Sequence, residues 1–86
     1  MSKQITITVN GKDIVFEPNT VMYNKYINEF MPNNKVSPAQ NYLQRIVTKE
    51  STAALDEALL IPGAAIQLAD AVNAEFIPEL EISIKK

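Results

Sequence analysis

Ile5-Thr6-Ile7-Thr8-Val9-Asn10-Gly11-Lys12-Asp13-Ile14-Val15-Phe16-Glu17 separates an α+β domain from an all-helical one. Ile5 to Val9 alternates strictly between apolar and polar, the period of a half-buried strand. Asn10-Gly11 follows, and both residues tolerate the positive φ that a type I′ turn demands. Ile14-Val15-Phe16-Glu17 is the return strand, and Pro18 ends the hairpin. Ile5, Ile7 and Val9 share one face of the first strand, and Ile14 and Phe16 share one face of the second.

Downstream the period changes from 2 to 3.6. Thr20 reads as an N-cap, and Met22, Tyr23, Tyr26, Ile27 and Phe30 fall within an arc of about 140° on a helical wheel. Asn24, Lys25, Asn28 and Glu29 occupy the opposite side. Pro32 stops this helix, and Pro32-Asn33-Asn34-Lys35 reads as a turn. Ser37-Pro38 starts the next one, with serine as N-cap and proline at the first helical position. Its apolar stripe is Ala39, Tyr42, Leu43, Ile46 and Val47. A third helix follows Thr48, with Ser51 and Thr52 as alternative caps. It turns Ala54, Leu55, Ala58, Leu59 and Ile61 inward and leaves Leu60 off the stripe. Pro62-Gly63 breaks the chain, and Ala64 to Phe76 reads as a fourth helix with Ala65, Ile66, Leu68, Ala69, Val72 and Phe76 on one face.

Pro78 ends that helix, and Leu80-Glu81-Ile82-Ser83-Ile84-Lys85 alternates again as a third strand. The expected architecture is α+β. The hairpin and the C-terminal strand form a three-stranded, mainly antiparallel sheet, with one face covered by about four short helices. The first and last strands are expected to be neighbours. Residues 1–86 form a single domain.

The chain has 86 residues, ten acids, eight bases and a formal charge of −2, with neither histidine nor cysteine. No basic stripe exists of the kind that tracks a phosphate backbone, so no nucleic-acid partner is expected. Met1-Ser2-Lys3-Gln4 leads straight into the strand pattern and not into an apolar signal core. Apolar runs fall far below the ~18 residues of a spanning helix. A soluble, intracellular protein without a membrane partner is expected.

Without histidine or cysteine, Ser-His-Asp and Cys-His catalysis and Cys/His zinc sites have no residues to use. Gly11 and Gly63 are too far apart in sequence to build a phosphate-cradling loop. Asp56-Glu57 and Glu79/Glu81 read as solvated faces of a helix and a strand, and no calcium-loop spacing of acids exists. No enzyme, cofactor or metal site is expected.

What remains is contact chemistry. Buried tyrosine hydroxyls need partners, so tyrosines tend to sit at the margin of a core, and tyrosine and methionine are enriched at interfaces. Tyr23, Tyr26 and Tyr42 are therefore candidate partner-binding residues, with Met31 at the edge of its stripe and Leu60 outside its own.

The chain resembles a family of small phage and prophage proteins described as tail assembly chaperones. The similarity runs through Ile5-Thr6-Ile7-Thr8-Val9-Asn10-Gly11-Lys12-Asp13, Tyr23-Asn24-Lys25-Tyr26-Ile27-Asn28-Glu29 and Met31-Pro32-Asn33-Asn34-Lys35-Val36-Ser37-Pro38-Ala39. It continues in Pro62-Gly63-Ala64-Ala65 and Leu80-Glu81-Ile82-Ser83-Ile84-Lys85-Lys86. The resemblance implies a helper that acts in the host cell cytoplasm and is absent from the mature virion. Its implied partner is the tail tape measure protein, or the tail tube protein, kept soluble while the tail assembles. The alternatives are a structural minor tail component and a prophage adaptor or regulatory domain. Self-association through strand edges or helix stripes is open.

Overall fold

The computed structural model describes residues 3–85; Met1, Ser2 and Lys86 lie outside the described residues. The hairpin forms as the alternation requires. β1 (Ile5–Val9) pairs antiparallel with β2 (Lys12–Phe16) in the register Ile5↔Phe16, Ile7↔Ile14 and Val9↔Lys12. Asn10 and Gly11 both take positive φ, 50° and 83°, which gives the two-residue turn its hand. Ile5, Ile14 and Phe16 are buried on the inner face, with Ile7 and Val9 packed beside them.

Four α-helices follow: α1 (Thr20–Asn28), α2 (Val36–Ile46), α3 (Thr52–Ala58) and α4 (Ala64–Phe76), with a single 3-10 turn at Lys49–Ser51 before α3. α4 packs against β1 and α3 against β2, while α2 packs on α4 and α1 on α2. The helices thus build outward in steps, and α3 and α4 provide the main cover of the sheet. Phe16, Ala39, Tyr42, Leu43, Leu55, Ala69 and Val72 are wholly buried at the centre.

Helix ends follow local chemistry, with shifts of one or two residues from the expected caps. Asn19, not Thr20, caps α1: its Oδ1 accepts from the Met22 N–H at 2.9 Å. α2 begins at Val36, so Ser37 and Pro38 lie in its first turn. Thr48 precedes the 3-10 turn, and Ser51 Oγ accepts the Val15 N–H at 2.9 Å, tying that turn to β2. Gly63 starts α4 at φ 80°, a left-handed conformation that a side chain would strain.

The expected three-stranded sheet is corrected. Among the described residues the sheet has two strands, and Leu80–Lys85 forms none. The outer edge of β2 is taken instead by the link after α2. The Glu17 N–H donates to the Ile46 carbonyl at 2.7 Å, and the Thr48 N–H donates to the Val15 carbonyl at 2.9 Å. Ile77 leaves α4 with extended backbone (φ −78°, ψ 119°) and Pro78 follows, so the chain does not reverse onto β1. Alternation specifies which faces a strand would have; it does not supply the partner.

Three inward assignments also shift, the first being Ile27 on the α1 stripe, which is 41% exposed. Ile61 is 42% exposed because α3 ends at Ala58, so the helical wheel no longer governs it. Phe30 lies past the end of α1 and is 38% exposed. Leu60, also past the end of α3, is exposed.

Candidate protein-binding groove

α1 is only nine residues long and carries more apolar surface than α2 can cover. Tyr26 is buried at the centre of its stripe, Met22 and Tyr23 are half-buried, and Ile27 and Phe30 are exposed. The exposed part faces the C-terminal half of α4 across an open groove of about 470 Å³. Tyr23, Tyr26, Ile27 and Phe30 form one wall, and Asp70, Asn73, Ala74 and Ile77 form the other. Ala74, whose side chain is a single methyl group, adds little bulk to its wall of the gap.

An aromatic stack fixes the α1 wall. Tyr26 lies flat on Tyr42, with centroids 4.6 Å apart and planes 14° apart. The Phe30 ring meets Tyr26 edge-on at 4.7 Å. Tyr23 tilts against Phe76 at 6.4 Å, joining α1 to the end of α4. Beneath the stack, Tyr42 Oη donates to Asn73 Oδ1 at 2.7 Å, so α2 grips α4 through a buried polar bond. Arg45 on α2 donates to the Glu29 carboxylate from both terminal guanidinium nitrogens, at 3.1 and 3.2 Å, and pins the end of α1.

Burial pushes the Tyr42 hydroxyl up to about 12, with smaller contributions from Tyr23 and Tyr26. Tyr26 is also raised, first by burial, then by the Asp70 carboxylate and Tyr23. Both hydroxyls are neutral at physiological pH. Among the described residues, Asp70 is the one acidic group lining the groove. Among the described residues, no group of three or more histidine, cysteine, aspartate or glutamate side chains is placed to hold a metal ion. No described helix is long and apolar enough to cross a membrane.

The phage tail assembly chaperone family matches residues 5–86. The chain belongs to that family. It is 38% identical over 85 residues to a protein of Haemophilus phage HP1 described as an uncharacterized 11.3 kDa protein in the lys 3′ region. That similarity covers 99% of this chain and 83% of the phage protein. No solved structure matches. Family membership gives the protein a general role in phage tail assembly, a role that is not catalytic.

The candidate contact residues of this family member do not share one site. Tyr23 and Tyr26 line the α1/α4 groove, and Tyr42 lies buried behind Tyr26. Met31 is exposed in the turn after α1, where Met31 and Asn34 exchange backbone hydrogen bonds. Leu60, 82% exposed, borders a second depression with Val36, Ile61 and Ile66. Sequence reasoning missed the α4 wall: Asp70, Asn73, Ala74 and Ile77 were not picked out. Asn73 carried a faint signal, a polar residue one step after Val72 on a buried helix face.

Proposed function

We propose that this chaperone-family protein holds the tail tape measure protein during assembly, by taking an apolar ridge of one of its helices into the α1/α4 groove. The observation that carries this reading is the open groove itself, with Ile27 and Phe30 exposed in one wall and Ile77 in the other. An amphipathic helix presents its apolar residues three and four apart, and a trough between two helices suits such a ridge. Tyr23 offers a hydroxyl at the rim, and Asp70 favours a basic residue beside the client's apolar stripe. Met31 and Leu60 would add flexible and exposed apolar contacts outside the groove. Tyr26 and Tyr42 would act from within, as the stacked support of the wall. The groove is shallow and open, which favours release when the tail tube closes around its tape. The setting of this cycle is the host cytoplasm, and the protein leaves before the virion is complete.

Co-expression with the tape measure protein tests the reading. The expected result is co-purification and a larger soluble fraction of the tape protein, with this chain absent from purified tails by mass spectrometry. Failure to co-purify together with an unchanged soluble fraction would sink it. Recovery of the tail tube protein alone would move the client to the tube.

A further inference from the structure

Two unpartnered features of the fold match each other. The first is the outer edge of β1. The tight pair next to a two-residue turn is hydrogen-bonded, so Val9, Ile7 and Ile5 bond inward to β2, and Thr6 and Thr8 direct their backbone groups outward. The same alternation places Val15 and Glu17 on the far edge of β2, where Val15 bonds to Thr48 and Ser51, and Glu17 to Ile46. Among the described residues, the backbone groups of Thr6 and Thr8 have no such partner. Beside this edge lies a groove of about 390 Å³ between β1 and α4, with Ile7, Ala64, Leu68 and Ala71 in its lining.

The second feature is Leu80–Lys85. Leu80, Ile82 and Ile84 are 68, 79 and 85% exposed, and they share one face of an alternating segment. Three apolar residues at strand spacing left in water are a liability that proteins otherwise blunt. Six extended residues span about 20 Å, enough to run the length of β1. Placed beside β1, the segment would set Leu80, Ile82 and Ile84 over the groove, and Glu81, Ser83 and Lys85 alongside the polar side chains of Thr6 and Thr8.

We propose that the occupant of the β1 edge is the Leu80–Lys85 segment of a second copy of this chain, giving a reciprocal strand exchange. The direction of the chain selects a second copy. The end of α4 lies beside the start of β1, where Lys3 Nζ donates to the Glu75 carbonyl at 2.9 Å. To pair with its own β1, the segment would have to turn back at Ile77-Pro78. Ile77 is extended there, and proline holds its own φ. The segment instead stays exposed along its length, and the molecule is elongated, 51 Å in its longest extent. The radius of gyration is 14.0 Å, against about 12 Å for a compact chain of this length. A two-fold exchange covers both edges and both apolar segments at once, without changing either core.

Sedimentation over about a hundredfold range of concentration, with hydrogen exchange on the same samples, decides this. The expected mass is twice the 9.6 kDa of one chain, and the amides of Glu81–Lys85 should lose protection on dilution. Ile82→Pro and Ile82→Lys should both give monomers with unchanged helical circular dichroism, since Ile82 is largely exposed. Thr6→Pro, which removes an outward N–H, should do the same from the other side. A monomer throughout would overturn the proposal, as would a dimer that survives Ile82→Pro. Protection of the segment that persists in a monomer would overturn it too, by assigning the pairing to a single chain.

Discussion

Tyr42 on α2 donates its hydroxyl proton to Asn73 on α4, at 2.7 Å in a buried contact. Asn73 stands in a helix face otherwise made of Ala65, Leu68, Ala69 and Val72. The polar pair therefore does what apolar packing alone does not: it fixes the register of α2 on α4. Tyr26 stacks on the same ring, so the α1 wall of the groove inherits that register.

Tyr42→Phe keeps the ring and the stack but leaves the Asn73 carbonyl oxygen buried without its donor. The expected loss is about 1–3 kcal/mol of unfolding free energy. A second replacement, Asn73→Leu in the Tyr42→Phe background, should restore part of it, because both polar partners are then gone. Urea unfolding of the three variants measures both values. A single variant as stable as the parent protein would show that the bond contributes nothing.

Alkaline pH should act through the same hydroxyl. The folded state raises Tyr42 from about 10 to about 12 because burial disfavours the phenolate. A group raised on folding contributes stability that is fully present below its unfolded value. Stability should therefore be level on this account up to about pH 10 and fall between about pH 10 and 12. Tyr26, raised in the same direction, adds to the fall. In Tyr42→Phe the decline should be shallower; an equally steep decline would place its origin elsewhere.

The caps separate two adjacent residues. Asn19 Oδ1 accepts the Met22 N–H, whereas Thr20 is already the first helical residue. Asn19→Ala should cost about 1 kcal/mol and Thr20→Ala only a few tenths, by thermal or urea unfolding. A larger loss at Thr20 would reverse the assignment. The pair also shows what the sequence could and could not reveal. Asn and Thr are both good caps, and only the geometry of the Pro18 exit chooses between them. The hairpin was legible because Asn10-Gly11 and the flanking alternation agree, and the span of α4 was legible because Pro62-Gly63 and Pro78 bracket it. The C-terminal segment has the same alternation as β1 yet, among the described residues, pairs with no strand, since pairing depends on where α4 delivers it. The groove was half legible. Its aromatic wall follows from helical spacing, but its other wall comes from α4, with Ala74 more than forty residues away, a relation no local pattern contains.

Ser51 links β2 to the turn that leads into α3. Its hydroxyl oxygen accepts the Val15 N–H, and the residue itself is buried. Ser51→Ala removes the acceptor and strands a backbone donor at a covered sheet edge, for an expected loss of about 1–3 kcal/mol. Hydrogen exchange gives the local reading: the Val15 amide should exchange faster than those of Ile14 and Phe16, which bond to β1. Unchanged protection of Val15 would mean that another group replaces the serine.

Ala74→Arg tests the groove without touching the core. Ala74 is exposed on α4 and lines the gap that separates α4 from the α1 wall. Arginine is a good helix former, so stability should change by no more than about 0.5 kcal/mol. Its long side chain would fill the trough and its charge would be drawn to Asp70, one helical turn away. Capture of the tape measure protein should then fall sharply, while Leu60→Ser, in the second depression, should leave most of it intact. If Leu60→Ser abolishes capture and Ala74→Arg does not, the client lies across Val36, Leu60 and Ile66, and the α1/α4 groove is a gap in packing rather than a binding site.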